Sequence, residues 1–373
     1  MIKIRKIGTL CIAALLLIGC DQPKSNSMSN WLGDSTKPSG TEPDDASYAV
    51  VVEGVDIRFP DDHQAHENFR HEWWYFTANL VDETGQTLGI QWTQFRFATA
   101  PQNDKSNDSN TPWHSQQIYM AHSAVTNQTR HFTDEKWSRQ HPQLAGVEKH
   151  PLRVFVDDWQ WQSQSDELLP AKLMVKSKLF SYTLNLTSTA PYQKQGNQGY
   201  SKKSADGKVA SYYYSQPFIE VTGEVVIQGK RHQVSGNGWI DREWSSQFLL
   251  DSQQGWDWFA LRLNNQTTLV VFQLRGEDKT QTHYAHARLM QSNGESISIS
   301  PNDFSLSSTK QTNIQGTDYP TGWLLKIPKH KIDLTISALN PNAKMPLTVP
   351  YWEGPIVIEG THSGSGYMEL TGY

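Results

Sequence analysis

Apolar and polar side chains alternate over short runs along the chain, and turn residues separate these runs. In residues 71–80 the even positions from Trp74 to Leu80 are apolar, whereas Trp73 and Tyr75 occupy odd positions. A period of two residues is that of a β-strand, and aromatic side chains on both faces predict a strand that is covered on both sides. No long segment has the 3.6-residue apolar period of a helix. The pattern therefore predicts an all-β protein.

One pattern of small, glycine, small, glycine, aromatic, apolar and acidic residues occurs twice, at 235–241 and at 363–369. Five further matches follow one order in both halves: 73–80 with 256–263, 94–96 with 273–275, 120–122 with 284–286, 182–186 with 332–336, and 218–223 with 355–360. Ordered self-similarity of this kind is the signature of a repeat. We therefore predict that the chain arose by internal duplication.

The duplication divides the folded part into a first barrel over residues 48–245 and a second barrel over residues 246–373. Each half has about eight to ten predicted strands in simple meander order, a typical size for a closed barrel. Closure is expected because it removes exposed sheet edges. The predicted fold is two tandem antiparallel β-barrels, and small barrels of this kind can hold one small ligand.

Residues 48–59 predict one or two strands, and residues 88–97 predict a strand that returns from the turn at 82–85. Two connections, 98–115 and 188–210, are much longer in the first half than in the second. Long loops inside compact domains are often lids or binding loops. The alternative is that each is a surface insertion without a role in binding.

Residues 1–19 have the pattern of a lipoprotein signal peptide, in which a basic start and a short apolar run precede Cys20. Lipidation of Cys20 would give a stable membrane anchor, whereas the alternative is an ordinary secretory signal with a chance cysteine. Residues 20–47 are rich in Ser, Pro, Asn, Asp and Gly and predict a flexible tether. Asp21 after the cysteine favours the inner membrane, so we expect a periplasm-facing protein of the cell envelope.

The cysteine count and the charge exclude several classes of function. Cys11 and Cys20 are the two cysteines, so cleavage before Cys20 leaves no free thiol, no disulfide and no cysteine metal site. Cleavage also removes three of the 33 basic residues and none of the 38 acidic ones, which gives a net charge of 30 − 38 = −8. A net-acidic chain without a basic patch argues against nucleic acid as a partner.

Five long aromatic motifs resemble those of the AttH-type family of secreted bacterial proteins, which is related to the carotenoid 1,2-hydratases. The motifs lie at residues 71–75, 198–202, 211–215, 236–244 and 255–258. The resemblance runs from about residue 48 over most of the chain, and it implies two lipocalin-like β-barrels. It also implies a choice of activities, since some relatives hydrate polyenes, fungal relatives cyclise them, and the AttH branch is labelled as hydrolases associated with ABC transport systems.

Trp239, Asp241 and Glu243 share one face if their strand runs straight. A carboxyl group beside indole rings can have a raised pKa and donate a proton, and aromatic faces shelter the cation that forms when an alkene is protonated. The alternative is that these acids form ion pairs with Arg96 or Arg275. The Arg242 guanidinium next to Asp241 is expected to lower the pKa of that acid, which opposes hydratase activity.

Histidines offer a further set of candidates. His122 and His286 hold equivalent places in the two halves, either as ligands and bases or as hydrogen-bonded barrel residues. His63, His66 and His71 lack a strand or helix frame suited to a metal, so we predict no metal and no cofactor. Neither a serine-hydrolase elbow nor a phosphate-binding loop is found in the sequence.

The expected function is binding of a lipophilic molecule such as a lipid, isoprenoid or polyene, between or within the barrels, with transfer to ABC transporter permease subunits. The first alternative is a hydratase, isomerase or hydrolase acting on an apolar substrate through an Asp or Glu general acid; the second is a structural partner of an inner-membrane complex. The candidate catalytic residues are Asp241, Glu243 and Glu72. The candidate ligand-binding residues are Trp73, Trp74, Tyr75, Gln94, His122, Tyr213, Trp239, Trp244, Trp256 and Trp258.

Overall fold

The computed structural model describes residues 48–101, 114–247, 249–276, 278 and 282–373. The predicted signal peptide, Cys20, the tether and most of the 98–115 connection lie outside the described residues. Single 3-10 turns occur at Asp61–His63, Pro301–Asp303 and Pro328–His330. Within the described part of the chain, no helix has the length and hydropathy that crossing a membrane requires.

Thirteen strands form the first sheet. They are β1 (His71–Asp82), β2 (Thr87–Ala98), β3 (Gln117–Thr126), β4 (His131–Arg139), β5 (Ala145–Glu148), β6 (Arg153–Val156), β7 (Trp159–Ser163), β8 (Ala171–Lys176), β9 (Phe180–Thr187), β10 (Gln193–Lys194), β11 (Tyr200–Lys202), β12 (Ala210–Ile227) and β13 (Lys230–Ser245). Their order is β4-β3-β2-β1-β13-β12-β9-β8-β7-β6-β5, and β10 and β11 also pair with β12. The last strand along the chain, β13, pairs with the first, β1, and the sheet curls into a nearly closed barrel.

Ten strands form the second sheet. They are β14 (Gln253–Leu263), β15 (Thr268–Gly276), β16 (Thr282–Met290), β17 (Ser296–Ile299), β18 (Ser305–Ile314), β19 (Thr317–Ile327), β20 (Ile332–Ala338), β21 (Lys344–Met345), β22 (Tyr351–Gly360) and β23 (Gly364–Leu370). Their order is β17-β16-β15-β14-β23-β22-β20-β19-β18, with β21 on β22. Every pair of neighbouring strands in this order has an equivalent pair in the first sheet.

The predicted fold and its origin in a duplication are confirmed. All six repeated stretches lie on strands that hold equivalent places in the two sheets, for example β1 and β14, or β13 and β23. The register agrees as well, since Ala78 faces Gly238 in the first barrel and Leu261 faces Gly366 in the second. Strands β5, β6 and β11 have no counterpart, so the first half exceeds the predicted eight to ten strands.

The central strand β1 is buried on both faces, as its alternation predicts. Trp74 and Phe76 point into the core of the first barrel, and Phe259 and Leu261 do the same in the second. Tyr75 points the other way and packs in an apolar cluster with residues of the second barrel. The outer walls of the two barrels therefore pack on each other.

Specific contacts join the two walls. Strand β1 packs on β23, and β2 packs on β22. The side-chain amide of Asn79 donates a hydrogen bond of 3.0 Å to the Gly366 carbonyl, and the Tyr75 hydroxyl donates one of 2.5 Å to Glu353. The interface polar groups of Asn79 and Tyr75 thus have partners on the opposite barrel.

The prediction of strands over residues 48–59 is wrong. This segment contains turns and extended backbone without a strand partner, and it packs through Ile57 against the first barrel. The phenol of Tyr212 takes the place of a neighbouring strand, because its hydroxyl bonds both the amide and the carbonyl of Val52 at 3.0 Å. The apolar residues of this segment suggested strands, but the pattern did not show that the backbone bonds a side chain.

Candidate functional site

A partly enclosed cavity of about 100 Å³ lies between the two barrels. Its first wall is formed by the outer faces of β1, β2, β12 and β13, and its second wall by β14, β15, β22 and β23. The lining is mainly apolar and is rich in rings, which are contributed by Trp73, Tyr75, Tyr213, Trp256, Trp258 and Phe272. Close packing of the two barrel walls and an aromatic cavity therefore occur together at this interface.

The rings of the two barrels meet edge to face at this cavity. Tyr75 and Trp258 have centroids 5.1 Å apart at 79°, and Trp239 and Trp258 have centroids 6.2 Å apart at 85°. The Trp258 indole also donates a hydrogen bond of 3.3 Å to the Tyr213 hydroxyl. Edge-to-face contacts favour particular ring orientations in addition to the effect of burial. The aromatic rings of the cavity wall are therefore held in defined orientations.

Asp241 is the most fully hydrogen-bonded carboxylate of the cavity. Its two oxygens accept bonds of 2.8 Å from the Tyr213 hydroxyl, 2.5 Å from the Ser215 hydroxyl and 2.7 Å from the Trp239 indole. Burial raises the pKa of Asp241 to about 7, although the three donors act in the opposite direction. A carboxyl group with this pKa can give up or take a proton near neutral pH.

The expectation that Arg242 lowers the pKa of Asp241 is wrong. Successive residues of a strand point to opposite faces, so Arg242 lies inside the first barrel while Asp241 faces the cavity. The Arg242 guanidinium stacks 3.8 Å from the Trp74 ring and bonds Glu72 at 3.0 Å. The alternative of ion pairs between the acids and Arg96 or Arg275 is also not seen, since no arginine pairs with Asp241 or Glu243 among the described residues.

Glu243 lines the same cavity two residues further along β13 and forms an ion pair of 2.7 Å with Lys203. Lys203 belongs to the long 188–210 connection, and its carbonyl accepts a hydrogen bond of 2.8 Å from Gln253 at the start of the second barrel. Its ammonium group lies 4.6 Å from the Phe272 ring centroid. This connection therefore contributes a cavity wall, one of the two roles that its length suggested.

Four of the candidate residues lie inside the first barrel and not in the cavity. Glu72 is fully buried between Arg96 and Arg242, and Trp74 lies beside the same network. Gln94 bonds the Phe155 carbonyl at 3.2 Å, and Trp244 stacks at 4.0 Å on His66. Burial alone raises the pKa of Glu72, but the Arg96 and Arg242 charges and the His66 hydrogen bond together outweigh it and hold the pKa well below the usual range. An acid held ionised in this way is a poor proton donor.

His122 and Trp239 lie in the interface next to the cavity and do not line it. His122 bonds the hydroxyl of Tyr351, a cavity residue, at 3.1 Å, and burial lowers the pKa of His122. It is therefore neutral, in keeping with a hydrogen-bonded barrel residue. Of the ten candidate binding residues, five line the cavity: Trp73, Tyr75, Tyr213, Trp256 and Trp258.

Residues 50–373 match the family model described as AttH-like. The chain belongs to the AttH-like family. A crystal structure of a candidate AttH protein from Nitrosomonas europaea is 32% identical with a TM-score of 0.78, and the match covers 87% of this chain and 99% of that chain. Kievitone hydratase from Nectria haematococca has a TM-score of 0.64 at 14% identity, covering 87% and 96%. At that identity the second likeness shows the fold alone. The search of curated proteins found no match.

Two acids of this AttH-like protein, Glu353 and Glu369, were missed by the sequence reasoning. Glu369 lines the cavity, and Glu353 lies directly opposite it on the neighbouring strand β22. Burial raises the pKa of Glu369 to about 8, and burial followed by the charge of Glu369 raises the pKa of Glu353 well above its usual range. The signal was available for Glu369, because it ends the second copy of the stretch that Asp241 ends in the first.

One potential metal-binding group occurs in the described parts of the AttH-like chain, at Asp82, Glu83 and His232. Asp82 and His232 already bond each other at 2.8 Å, and Asp82 also accepts two bonds from Thr84 in the hairpin turn. These bonds stabilise the hairpin turn, which explains why the three residues lie together. None of the three residues lines the cavity.

Proposed function

We propose that this AttH-like protein binds the apolar end of a lipophilic small molecule, such as an isoprenoid or polyene, in the cavity between its barrels. The observation that carries the proposal is a cavity at a domain interface with a mainly apolar, aromatic lining and a few placed polar groups. Sites of this composition are typical of small-molecule binding.

The volume of the cavity limits the size of the group that can bind inside it. A dry cavity of about 150 Å³ is enough to bind benzene, so about 100 Å³ accommodates only a small apolar group. The rest of a longer molecule would leave through the open side of this partly enclosed cavity. The proposed ligand is therefore a chain or ring that inserts one end.

Filling the cavity should remove binding. Leu274→Trp places an indole in the cavity from β15, and we expect the affinity for geraniol, a ten-carbon isoprenoid alcohol, to fall by roughly tenfold or more, about 1.4 kcal/mol. Isothermal titration calorimetry measures this. The matched control is Val357→Trp on an exposed position of β22, which should leave the affinity unchanged. Equal binding by both variants, or no binding by the parent protein, would count against the proposal.

The second candidate is acid–base chemistry on the bound molecule, of the hydration or isomerisation type. The specific observation in its favour is the pKa of about 7 for Asp241 at the wall of an aromatic cavity. Such a group has both protonation states available at neutral pH, and the surrounding rings favour a cationic intermediate. At its low sequence identity, the likeness to kievitone hydratase supports a shared fold and assigns no role to any residue.

Asp241→Asn separates the two candidates. Asparagine keeps the size and the acceptor oxygen but cannot exchange a proton at neutral pH, so deuterium uptake into bound geraniol in heavy water should fall by about 10²-fold or more. Affinity should stay within about twofold of the parent. Mass spectrometry of recovered geraniol gives the first value, and calorimetry the second. Unchanged deuterium uptake would assign Asp241 to structure, as would loss of folding.

The location in the cell completes the proposal. A lipid on Cys20 would anchor the protein to the inner membrane with residues 20–47 as a tether, and the bound molecule would pass to an ABC transporter permease. The support for this part is the basic and apolar pattern before Cys20 together with the family resemblance.

A further inference from the structure

Four carboxyl groups face or adjoin the cavity between the barrels, and they do not have equal surroundings. Glu243 is paired with Lys203, and Asp241 accepts three hydrogen bonds from neutral donors. Glu369 accepts one bond, of 2.9 Å, from the Trp256 indole, and Glu353 accepts bonds from the Tyr75 and Tyr351 hydroxyls. The four acids therefore differ in how strongly each is stabilised as an anion.

The Glu353 and Glu369 carboxyl groups form a close pair of like groups. The two residues are direct partners in the register of β22 and β23, and their side chains point to the same face of the sheet. Glu353 is fully buried in the interface, and Glu369 is partly buried at the cavity wall. No lysine or arginine forms an ion pair with either of them among the residues that the structure describes. Two adjacent carboxyl groups without a cation cannot both ionise, so one of them keeps a proton.

A buried polar atom without a hydrogen-bond partner indicates that a ligand binds in the same cavity. The Ser211 hydroxyl lines the cavity, is 2% exposed, and has no hydrogen-bond partner in the described part of the protein. A buried hydroxyl without a partner is costly, so a partner from outside the chain is expected there. The ligand would then be an unsaturated apolar molecule that carries one polar group, such as an alcohol or a carbonyl.

We propose that Glu369 is the proton donor of the cavity, that it shares one proton with Glu353, and that Asp241 is the proton acceptor on the opposite wall. This proposal rests on the binding of an apolar molecule proposed above. The donor comes from the second half of the chain and the acceptor from the first, at equivalent positions of the duplicated stretch. Their different hydrogen bonding sets the direction of proton transfer, since three donors favour the anion of Asp241.

The proposed reaction moves a double bond. Glu369 gives its proton to one alkene carbon, and the π electrons form the new C–H bond and leave a cation on the neighbouring carbon. The Asp241 carboxylate removes a proton from the carbon on the other side of the cation, and those C–H electrons form the new double bond. Glu369 ends as the anion and Asp241 as the acid, and exchange with solvent restores both, so nothing is oxidised or consumed. The rings of Trp258 and Tyr213 shelter the cation.

The proton on the glutamate pair can be tested without any ligand. Infrared spectroscopy of the full-length protein at pH 7 should show the carbonyl stretch of buried protonated carboxyl groups, and the double variant Glu353→Gln/Glu369→Gln should lose the component of this pair and keep that of Asp241. The matched control is Glu359→Gln, an exposed position on the same strand as Glu353. A spectrum in which all carboxyl groups of the parent protein are ionised at pH 7 would overturn the proposal.

The donor role is tested with geraniol in heavy water. Glu369→Gln should bind geraniol as the parent does and should reduce its deuterium uptake by about 10²-fold or more, whereas Glu369→Asp should restore part of the uptake. Binding by the parent protein without deuterium uptake would overturn the donor role and leave the binding proposal intact. A parent protein that does not bind geraniol would count against the binding proposal, and the infrared result would then decide the place of the proton.

Discussion

Glu72→Ala should destabilise the protein by about 3–5 kcal/mol, because it leaves two buried guanidinium groups without their shared carboxylate. Glu72 contacts Arg96 and lies 3.0 Å from Arg242, and all three side chains are fully buried in the first barrel. Each arginine also donates to backbone carbonyls, so neither can turn to solvent without breaking further bonds. Urea unfolding followed by tryptophan fluorescence measures the change.

An exposed ion pair gives the comparison for Glu72. Lys326 and Asp333 lie 2.9 Å apart with about half of each side chain exposed, so Lys326→Ala should cost less than about 1 kcal/mol. Equal losses in the two variants would show that the buried network contributes no more than a surface pair. A Glu72→Ala protein of unchanged stability that fails to take up deuterium into geraniol would return Glu72 to the catalytic candidates.

Gly236→Ala should cost about 3 kcal/mol, at the upper end of what overpacking costs. A Cβ atom at position 236 would fall on the Asn79 carbonyl oxygen of the adjacent strand, far inside the van der Waals limit. The obstacle is backbone in the middle of a sheet, so relief requires the pairing of β13 with β1 to loosen. Thermal unfolding with calorimetry measures the loss.

The equivalent glycine provides an internal repeat of this test. A Cβ atom at Gly364 would meet the Arg262 carbonyl oxygen in the same way, so Gly364→Ala should show a similar loss in the second barrel. The control is Gly146→Ala in β5, where the nearest atom to the added carbon is a Phe155 ring carbon at 3.7 Å. A loss at Gly146 as large as that at Gly236 would contradict the steric explanation.

Alternation and repetition were enough to predict most of the fold. The two faces of β1 follow directly from the period of two residues, and the matched stretches at 235–241 and 363–369 identify equivalent strands. The same reasoning failed at 48–59, where an apolar-rich segment has no strand partner. The bonding of Val52 to the Tyr212 phenol depends on a residue 160 positions away, and no local pattern contains it.

The site was harder to predict than the fold because both faces of the central strands are buried. Alternation shows that Asp241 and Arg242 lie on opposite sides of their strand. It does not show which of these residues points into the barrel and which points into the cavity. Glu72 was grouped with Asp241 for this reason, although it lies on the opposite side of the sheet. Glu369 could have been found, because the duplication places it where Asp241 lies in the first copy. Its pairing with Glu353 required the strand register.

The equivalence of Asp241 and Glu369 has a consequence for how such a site can evolve. In an ancestor with one barrel that paired with a second copy of itself, both walls would carry the same residue in the same surroundings, because one gene encodes both subunits. Fusion of the two copies into one polypeptide ends that constraint. Each wall can then acquire its own residue and neighbours independently, as aspartate with three donors and glutamate with one now differ here.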